Sequence, residues 1–232
     1  MELSKRLNSI VKHMDKCEKM ADIGSDHGYI PIYAVKNNIC RRAIASDINK
    51  GPVEKARMNA MFEGVSDFVD VRLGAGLKTI RKGEVNSIVI AGMGGNLIRD
   101  ILEADISKVK ELDYMILLPA QNPEVLRKYL YNTGYEILTE DICEDEGIYY
   151  EIFKVRYSTE NKLVIDDIFY EISPILLREK NPMMKEYLEV KREKLEKILG
   201  FIKEDTESAN NRKKEISSKI EFIDKSIKEC SV

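Results

Sequence analysis

The sequence predicts an α/β protein in which a seven-stranded, mostly parallel sheet precedes an antiparallel helical arm. Three observations carry this. Short apolar runs alternate with helix-spaced segments up to Tyr157, the pattern of crossover units in a parallel sheet. The last two apolar runs have no helix between them, so they should close the sheet as an antiparallel hairpin. Beyond Tyr157 the spacing becomes heptad-like, with Lys and Glu on the remaining faces.

In chain order, strands are expected at Met20–Ile23, Ala43–Asp47, Val69–Leu73, Ser87–Ala91, Tyr114–Leu118, Tyr135–Ile142 and Tyr149–Val155, the last two joined through Cys143–Ile148. Helices are expected at Ile30–Asn37, Pro52–Phe62, Gly95–Leu102 and Pro123–Asn132. Pro31, Pro52 and Pro123 sit near helix starts, where a missing N–H costs nothing. A further short helix is expected at the N-terminus. The division into domains falls at 1–157 and 158–232. In the second part, Ile175–Arg178 begins a helical stretch and Asn181-Pro182 breaks it. Met184, Leu188, Leu195, Ile198 and Ile202 form one seam, and Ile216, Ile220, Ile223 and Ile227 another, with Glu204–Asn211 as the polar connection. Two long helices folded as a coiled-coil hairpin satisfy this spacing.

Composition narrows the classes. The 232 residues are 44% hydrophobic and 33% charged, too apolar for disorder. The longest apolar runs, such as Tyr114–Leu118, fall far short of the ~20 residues of a bilayer span. The N-terminal Met1-Glu2-Leu3-Ser4-Lys5-Arg6 lacks the apolar core of a signal peptide, so a cytoplasmic protein is expected. Cys17, Cys40, Cys143 and Cys230 are widely spaced, and His13 and His27 are the only histidines, so no metal is expected. A net charge of −3 advertises no nucleic acid globally. Locally, Lys36–Arg57 holds six bases (Lys36, Arg41, Arg42, Lys50, Lys55, Arg57) against Asp47 and Glu54, and the N-terminal helix region adds Lys5, Arg6, Lys12, Lys16 and Lys19. Tyr129–Phe153 holds seven acids and no base, a surface RNA should avoid.

Four motifs carry chemistry. Asp22-Ile23-Gly24-Ser25-Asp26-His27-Gly28 joins a strand to a helix, and Gly24 and Gly28 let backbone approach a ligand. Asp47 ends the second strand in Ser46-Asp47-Ile48, where a carboxylate can take both hydroxyls of an adenosine ribose. That ribose belongs to NAD and S-adenosylmethionine alike, so Asp47 does not choose between them. Arg72-Leu73-Gly74-Ala75-Gly76-Leu77 follows the third strand, and Ala91-Gly92-Met93-Gly94-Gly95 follows the fourth, its glycines removing bulk where a ligand would lie.

These motifs, in this order, resemble the bacterial tRNA (adenine(22)-N1)-methyltransferase family, TrmK, over nearly the whole chain. The closing hairpin likewise resembles class I methyltransferases, with a Rossmann-like sheet. The resemblance implies S-adenosylmethionine as cofactor and tRNA as substrate, by a monomer or weak dimer. It implies cofactor contacts at Asp22, Gly24, Ser25, Gly28, Asp47, Ile48, Gly74, Ala75, Gly76, Gly92, Met93 and Gly94, with Asp26 and His27 as catalytic residues facing the reaction centre. The chain departs from the family with Ala75 where Asp is usual, and with the order Pro119-Ala120-Gln121-Asn122-Pro123 after the fifth strand. The residues alone leave two rivals open, a small-molecule methyltransferase of the same fold and a non-catalytic nucleotide-binding adaptor.

Overall fold

The computed structural model describes residues 1–158, 160 and 162–230. They form two compact units, Met1–Glu171 and Ile172–Val232.

The first unit begins with α1 (Lys5–Lys12), capped by Ser4, whose side chain accepts from the Leu7 N–H. Then β1 (Cys17–Ile23), α2 (Tyr29–Lys36), β2 (Cys40–Asp47), α3 (Lys50–Phe62) and β3 (Val69–Leu73) alternate. They continue as β4 (Ser87–Ala91), α4 (Gly95–Ala104), the short α5 (Ile106–Val109), β5 (Tyr114–Leu118) and α6 (Pro123–Thr133). The hairpin β6 (Tyr135–Asp145) and β7 (Ile148–Tyr157) and the short α7 (Asp167–Glu171) complete the unit. The seven strands lie in the order β3-β2-β1-β4-β5-β7-β6. β1 to β5 are parallel, and β7 runs antiparallel to both β5 and β6.

Strand alternation distributes the apolar side chains to the two faces. Ile23, Ile44, Ile88, Ile90, Met115 and Leu117 form one core with α4 to α6, through Ile98, Leu102, Val109, Leu126 and Leu130. Met20, Ala43, Ala45, Val69, Val89 and Ile116 form the other with α1 to α3, through Ile10, Ile30, Ile32, Ala56 and Ala60. Cover on both faces explains why the central parallel strands β4 and β5 read as continuous apolar runs.

β3, β4 and β5 match the sequence expectation to the residue. β1 and β2 start earlier, at Cys17 and Cys40, because Glu18, Lys19, Arg41 and Arg42 interrupt the apolar run yet still pair, with Cys17 opposite Cys40 and Lys19 opposite Arg42. The hairpin connection is only Glu146-Gly147, tighter than the expected Cys143–Ile148, because Asp145 already pairs with Ile148. Lys16 lies beyond α1 and Lys19 within β1, so neither belongs to the N-terminal helix.

The first unit also runs past residue 157, and α7 is the reason. The Tyr170 carbonyl accepts from Arg127 Nη1 at 2.8 Å, its hydroxyl donates to Asn132 Oδ1 at 3.1 Å, and Lys128 Nζ meets Asp167 at 3.0 Å. Arg127 is fully buried beside Glu140 and Glu151 and lies over the Phe153 ring, its Cζ 4.8 Å from the centroid.

The second unit holds α8 (Pro174–Arg178), α9 (Met184–Phe201) and α10 (Glu207–Cys230). Ser173 caps α8, and Pro174 takes its first position. Arg192 on α9 meets Asp224 on α10 at 3.2 Å, and so short a connection makes the two helices antiparallel. The two expected seams are buried only in part. Met184, Leu188, Ile216 and Ile223 are buried, Leu195, Ile202, Ile220 and Ile227 are half-buried and Ile198 is 42% exposed; Phe201, outside the seams and beside the connection, is 81% exposed.

Candidate active site

The four motifs converge because β1 to β4 are parallel and present their carboxyl ends on one edge of the sheet. The chain winds outward from β1 through β2 to β3, then returns to β4 on the other side of β1. Such a switch point opens a crevice between neighbouring strand ends.

After β1 the chain turns sharply. The N–H groups of Gly24 and Ser25 both donate to the Ser46 carbonyl, at 2.8 and 2.9 Å, tying this turn to the end of β2. Gly24 has φ +77°, and a Cβ there would lie 2.2 Å from the Met93 methyl, so the β1 and β4 turns touch where Gly24 lacks a side chain. Asp26 adopts φ 49°, uncommon outside glycine, and this turns its carboxylate outward with 68% of the side chain exposed. His27 lies between two partners, with Nε2 3.4 Å from Asp26 Oδ2 and Nδ1 3.2 Å from the Tyr29 hydroxyl. Asn59 of α3 donates to the His27 carbonyl at 2.9 Å. Gly28 is buried at the start of α2, and a Cβ there would press on Ala56 of α3 at 3.1 Å.

Asp22 is 4% exposed and accepts from Ser25 Oγ at 2.6 Å. Burial pushes its carboxyl up to about 7 against the pull of the Ser25 hydrogen bond, and the charge of Asp47 adds to the rise. The sign follows from linkage. Between the unfolded value of 3.8 and about 7, the folded protein holds a proton the unfolded chain has lost, so this group's contribution to stability falls as pH rises through that window. From pH 4 to pH 8, wild-type stability relative to Asp22→Asn should drop by roughly 2–4 kcal/mol in urea melts. A difference independent of pH would overturn this placement of the proton.

A cavity of about 460 Å³ opens over the β1 turn. It brings together Asp22, Gly24, Ser25, Asp26, His27 and Gly92 from the expected set, with Ser4, Arg6, Leu7, Tyr29, Ile30 and Ala91. The others stand at adjacent strand ends. Asp47 is half-buried at the end of β2, with Oδ1 accepting from the Asn49 N–H at 2.8 Å, and Ile48 beside it is 66% exposed. Gly74 joins its N–H to the Asp47 carbonyl at 2.9 Å, and Ala75 and Gly76 lead into a single 3₁₀ turn. Past β4, the Gly92 N–H donates to the Leu118 carbonyl, the Met93 carbonyl accepts from Ala120, and Gly94 bridges to Gln121. At Gly95 a Cβ would lie 2.2 Å from the Asn122 carbonyl oxygen, so the β4 and β5 loops abut through main chain alone. A larger cavity of about 620 Å³, between Arg42, Arg57 and Phe68, holds none of the expected site residues.

The sequence did not place Ser4, Arg6 and Leu7 here. They arrive because α1 docks on the acidic hairpin. Lys5 pairs with Glu144 at 3.1 Å, Lys12 and His13 with Asp141 at 3.5 and 2.9 Å, and the Arg6 backbone N–H donates to Asp145 at 3.3 Å. The acids expected to repel RNA thus act first as counterions for α1. Among the described residues, no helix is long and apolar enough to cross a membrane, and no group of three or more His, Cys, Asp or Glu could hold a metal ion.

The family model for TrmK, tRNA (adenine(22)-N(1))-methyltransferase, matches residues 20–225. The chain belongs to the TrmK family. This TrmK-family chain is 34% identical over 229 residues to the Bacillus subtilis tRNA (adenine(22)-N(1))-methyltransferase, covering 96% of each protein. A Streptococcus pneumoniae protein crystallised with S-adenosyl-L-methionine superposes at TM-score 0.86 with 30% identity, over 97% of this chain and 100% of that one. Mycoplasma capricolum TrmK, solved with S-adenosylhomocysteine, superposes at 0.82 with 28% identity, over 99% and 100%.

Proposed function

We propose that this TrmK-family chain transfers a methyl group from S-adenosylmethionine to N1 of adenine 22 in tRNA, acting in the cytoplasm. The observation that carries the reading is one pocket: an exposed carboxylate, Asp26, beside a cavity that adjoins glycine-lined strand ends and the acid at position 47. The residues fit such a donor. A Cβ at Gly92 or Gly94 would meet nothing within 4 Å, so these turns leave open space. In this reading Asp47 takes the ribose hydroxyls, and Gly24, Gly92 and Gly94 lie along the rest of the molecule. When bound, the donor supplies a sulfonium-activated methyl group.

Adenine N1 carries a lone pair and no hydrogen, so the chain needs no base to deprotonate it. Alignment is the main requirement. The methylated ring becomes cationic, and the Asp26 carboxylate at the cavity rim offsets that charge as it grows. His27 is a positioning residue. With Nε2 3.4 Å from Asp26 Oδ2 and Nδ1 3.2 Å from the Tyr29 hydroxyl, the ring is fixed beside the carboxylate and limits where it can move. N1 lies on the Watson–Crick edge, so the base enters only after leaving any pairing.

Nucleoside mass spectrometry tests this. A tRNA transcript with adenine at position 22 should gain one 1-methyladenosine, and the same transcript with guanine there should gain none. In the same assay Asp26→Asn should lower the single-turnover rate at least tenfold. Methylation that ignores position 22, or no methylation of tRNA, would overturn the reading; a small-molecule enzyme or a non-catalytic adaptor would give the latter.

A further inference from the structure

The ion pairs of α1 single out one residue. The carboxylates of the acidic hairpin pair with Lys5 and Lys12, but from Arg6 they take only the backbone N–H, to Asp145. The Arg6 guanidinium makes no ion pair among the described residues. It lies over the Tyr150 ring with Cζ 5.2 Å from the centroid, and the residue is half-buried. Arg6 also lines the reaction cavity, with Ser4 of its own cap and with Asp26, His27 and Tyr29.

We propose that Arg6 forms a phosphate subsite at this cavity, receiving a phosphodiester of the target nucleotide as its adenine enters. The inference rests on the tRNA reading above and adds a residue to it. A guanidinium is a planar fork of N–H donors that matches two phosphate oxygens at once. The Tyr150 ring beneath its Cζ holds the group in place without consuming a conventional hydrogen bond. The sign of each charge also matters. The reacting base becomes a cation, so a guanidinium against the ring would oppose the reaction, while the carboxylate of Asp26 favours it. The one anionic part of the same nucleotide is its phosphodiester. An acid and an unneutralised arginine lining one cavity therefore divide a nucleotide between them, with base to Asp26 and backbone to Arg6. The paired bases Lys5 and Lys12 cannot serve equally, because each would first have to leave its carboxylate.

The test is the salt dependence of tRNA binding, measured by fluorescence anisotropy on the full chain between about 50 and 500 mM salt, a range of one decade. Arg6→Gln should weaken tRNA binding about tenfold near 100 mM salt and reduce the slope of log K against log salt by about 1. Its S-adenosylmethionine affinity by calorimetry should not change. Arg6→Lys keeps the charge and should restore the slope while recovering only part of the affinity. Lys5→Gln, which removes a base already paired with Glu144, should leave the slope as in the wild type. A wild-type slope in Arg6→Gln, or a slope lost equally in Lys5→Gln, would overturn the subsite while leaving the methyltransferase reading intact. A wild-type chain that neither binds nor methylates tRNA would overturn that reading first.

Discussion

Asp47→Ala is expected to bind S-adenosylmethionine about 100-fold more weakly than the parent chain, with its thermal stability unchanged. A ribose diol donates two hydrogen bonds to one carboxylate, and bonds to a charged group contribute about 1.5–3 kcal/mol each. Asp47 is half-buried and stands in water before binding, so we take the lower end, about 3 kcal/mol together, or two decades in Kd. The fold should not notice, because the Asp47 side chain makes one local bond, from the Asn49 N–H, which water can replace. The backbone bond that ties β2 to the next loop, Gly74 N–H to the Asp47 carbonyl, survives in alanine. Calorimetry decides it: unchanged affinity would put the ribose at another strand end.

Arg127→Leu should cost about 3–5 kcal/mol, the largest stability loss we expect from any single change. Arg127 Nε and Nη2 reach both oxygens of Glu140 at 3.1 and 3.2 Å, Nη2 also meets Glu151, and Nη1 holds the Tyr170 carbonyl. The Glu140 and Glu151 side chains are 1% and 2% exposed, so deleting the guanidinium strands two carboxylates away from water. For a unit of this size the loss corresponds to roughly 10 °C in melting temperature. The triple variant Arg127→Leu, Glu140→Leu, Glu151→Leu should regain most of it, since the penalty comes from unpaired charge and not from the missing pair. A cost below about 1 kcal/mol for the single variant, read by urea unfolding, would overturn this account.

The contrast between these two residues explains what the sequence reveals. The place of Asp47 at the end of β2 was legible because the signal is local: an apolar run ends, an acid follows, and a glycine turn lies one crossover earlier. Local signals also located three strands to the residue: β4 and β5 are unbroken apolar runs ended by Gly92 and Pro119, while β3, at the sheet edge, alternates Val69, Val71 and Leu73 with Asp70 and Arg72 before Gly74. Arg127, Glu140 and Glu151 look like ordinary surface charges in the sequence; only the packing of α6 on the hairpin makes them interior. Ser4 and Arg6 were hidden for a related reason, since what brings them to the cavity is pairing with Asp141, Glu144 and Asp145 more than a hundred residues later. Heptad spacing announced the two C-terminal helices, but it could not say that their apolar stripe would be left open near Ile198 and Phe201. Spacing reports which side chains share a face, and burial depends on what arrives opposite.

The main-chain contact between Gly95 and Asn122 limits how the rim of this crevice can be remodelled. Where two loops meet peptide to peptide, replacing neighbouring side chains leaves the gap between them as it is. Any side chain at position 95 would pry the loops apart. Retargeting the pocket to a bulkier or smaller acceptor therefore has to work through its other walls, Tyr29 or the α1 residues, with this seam serving as a fixed ruler.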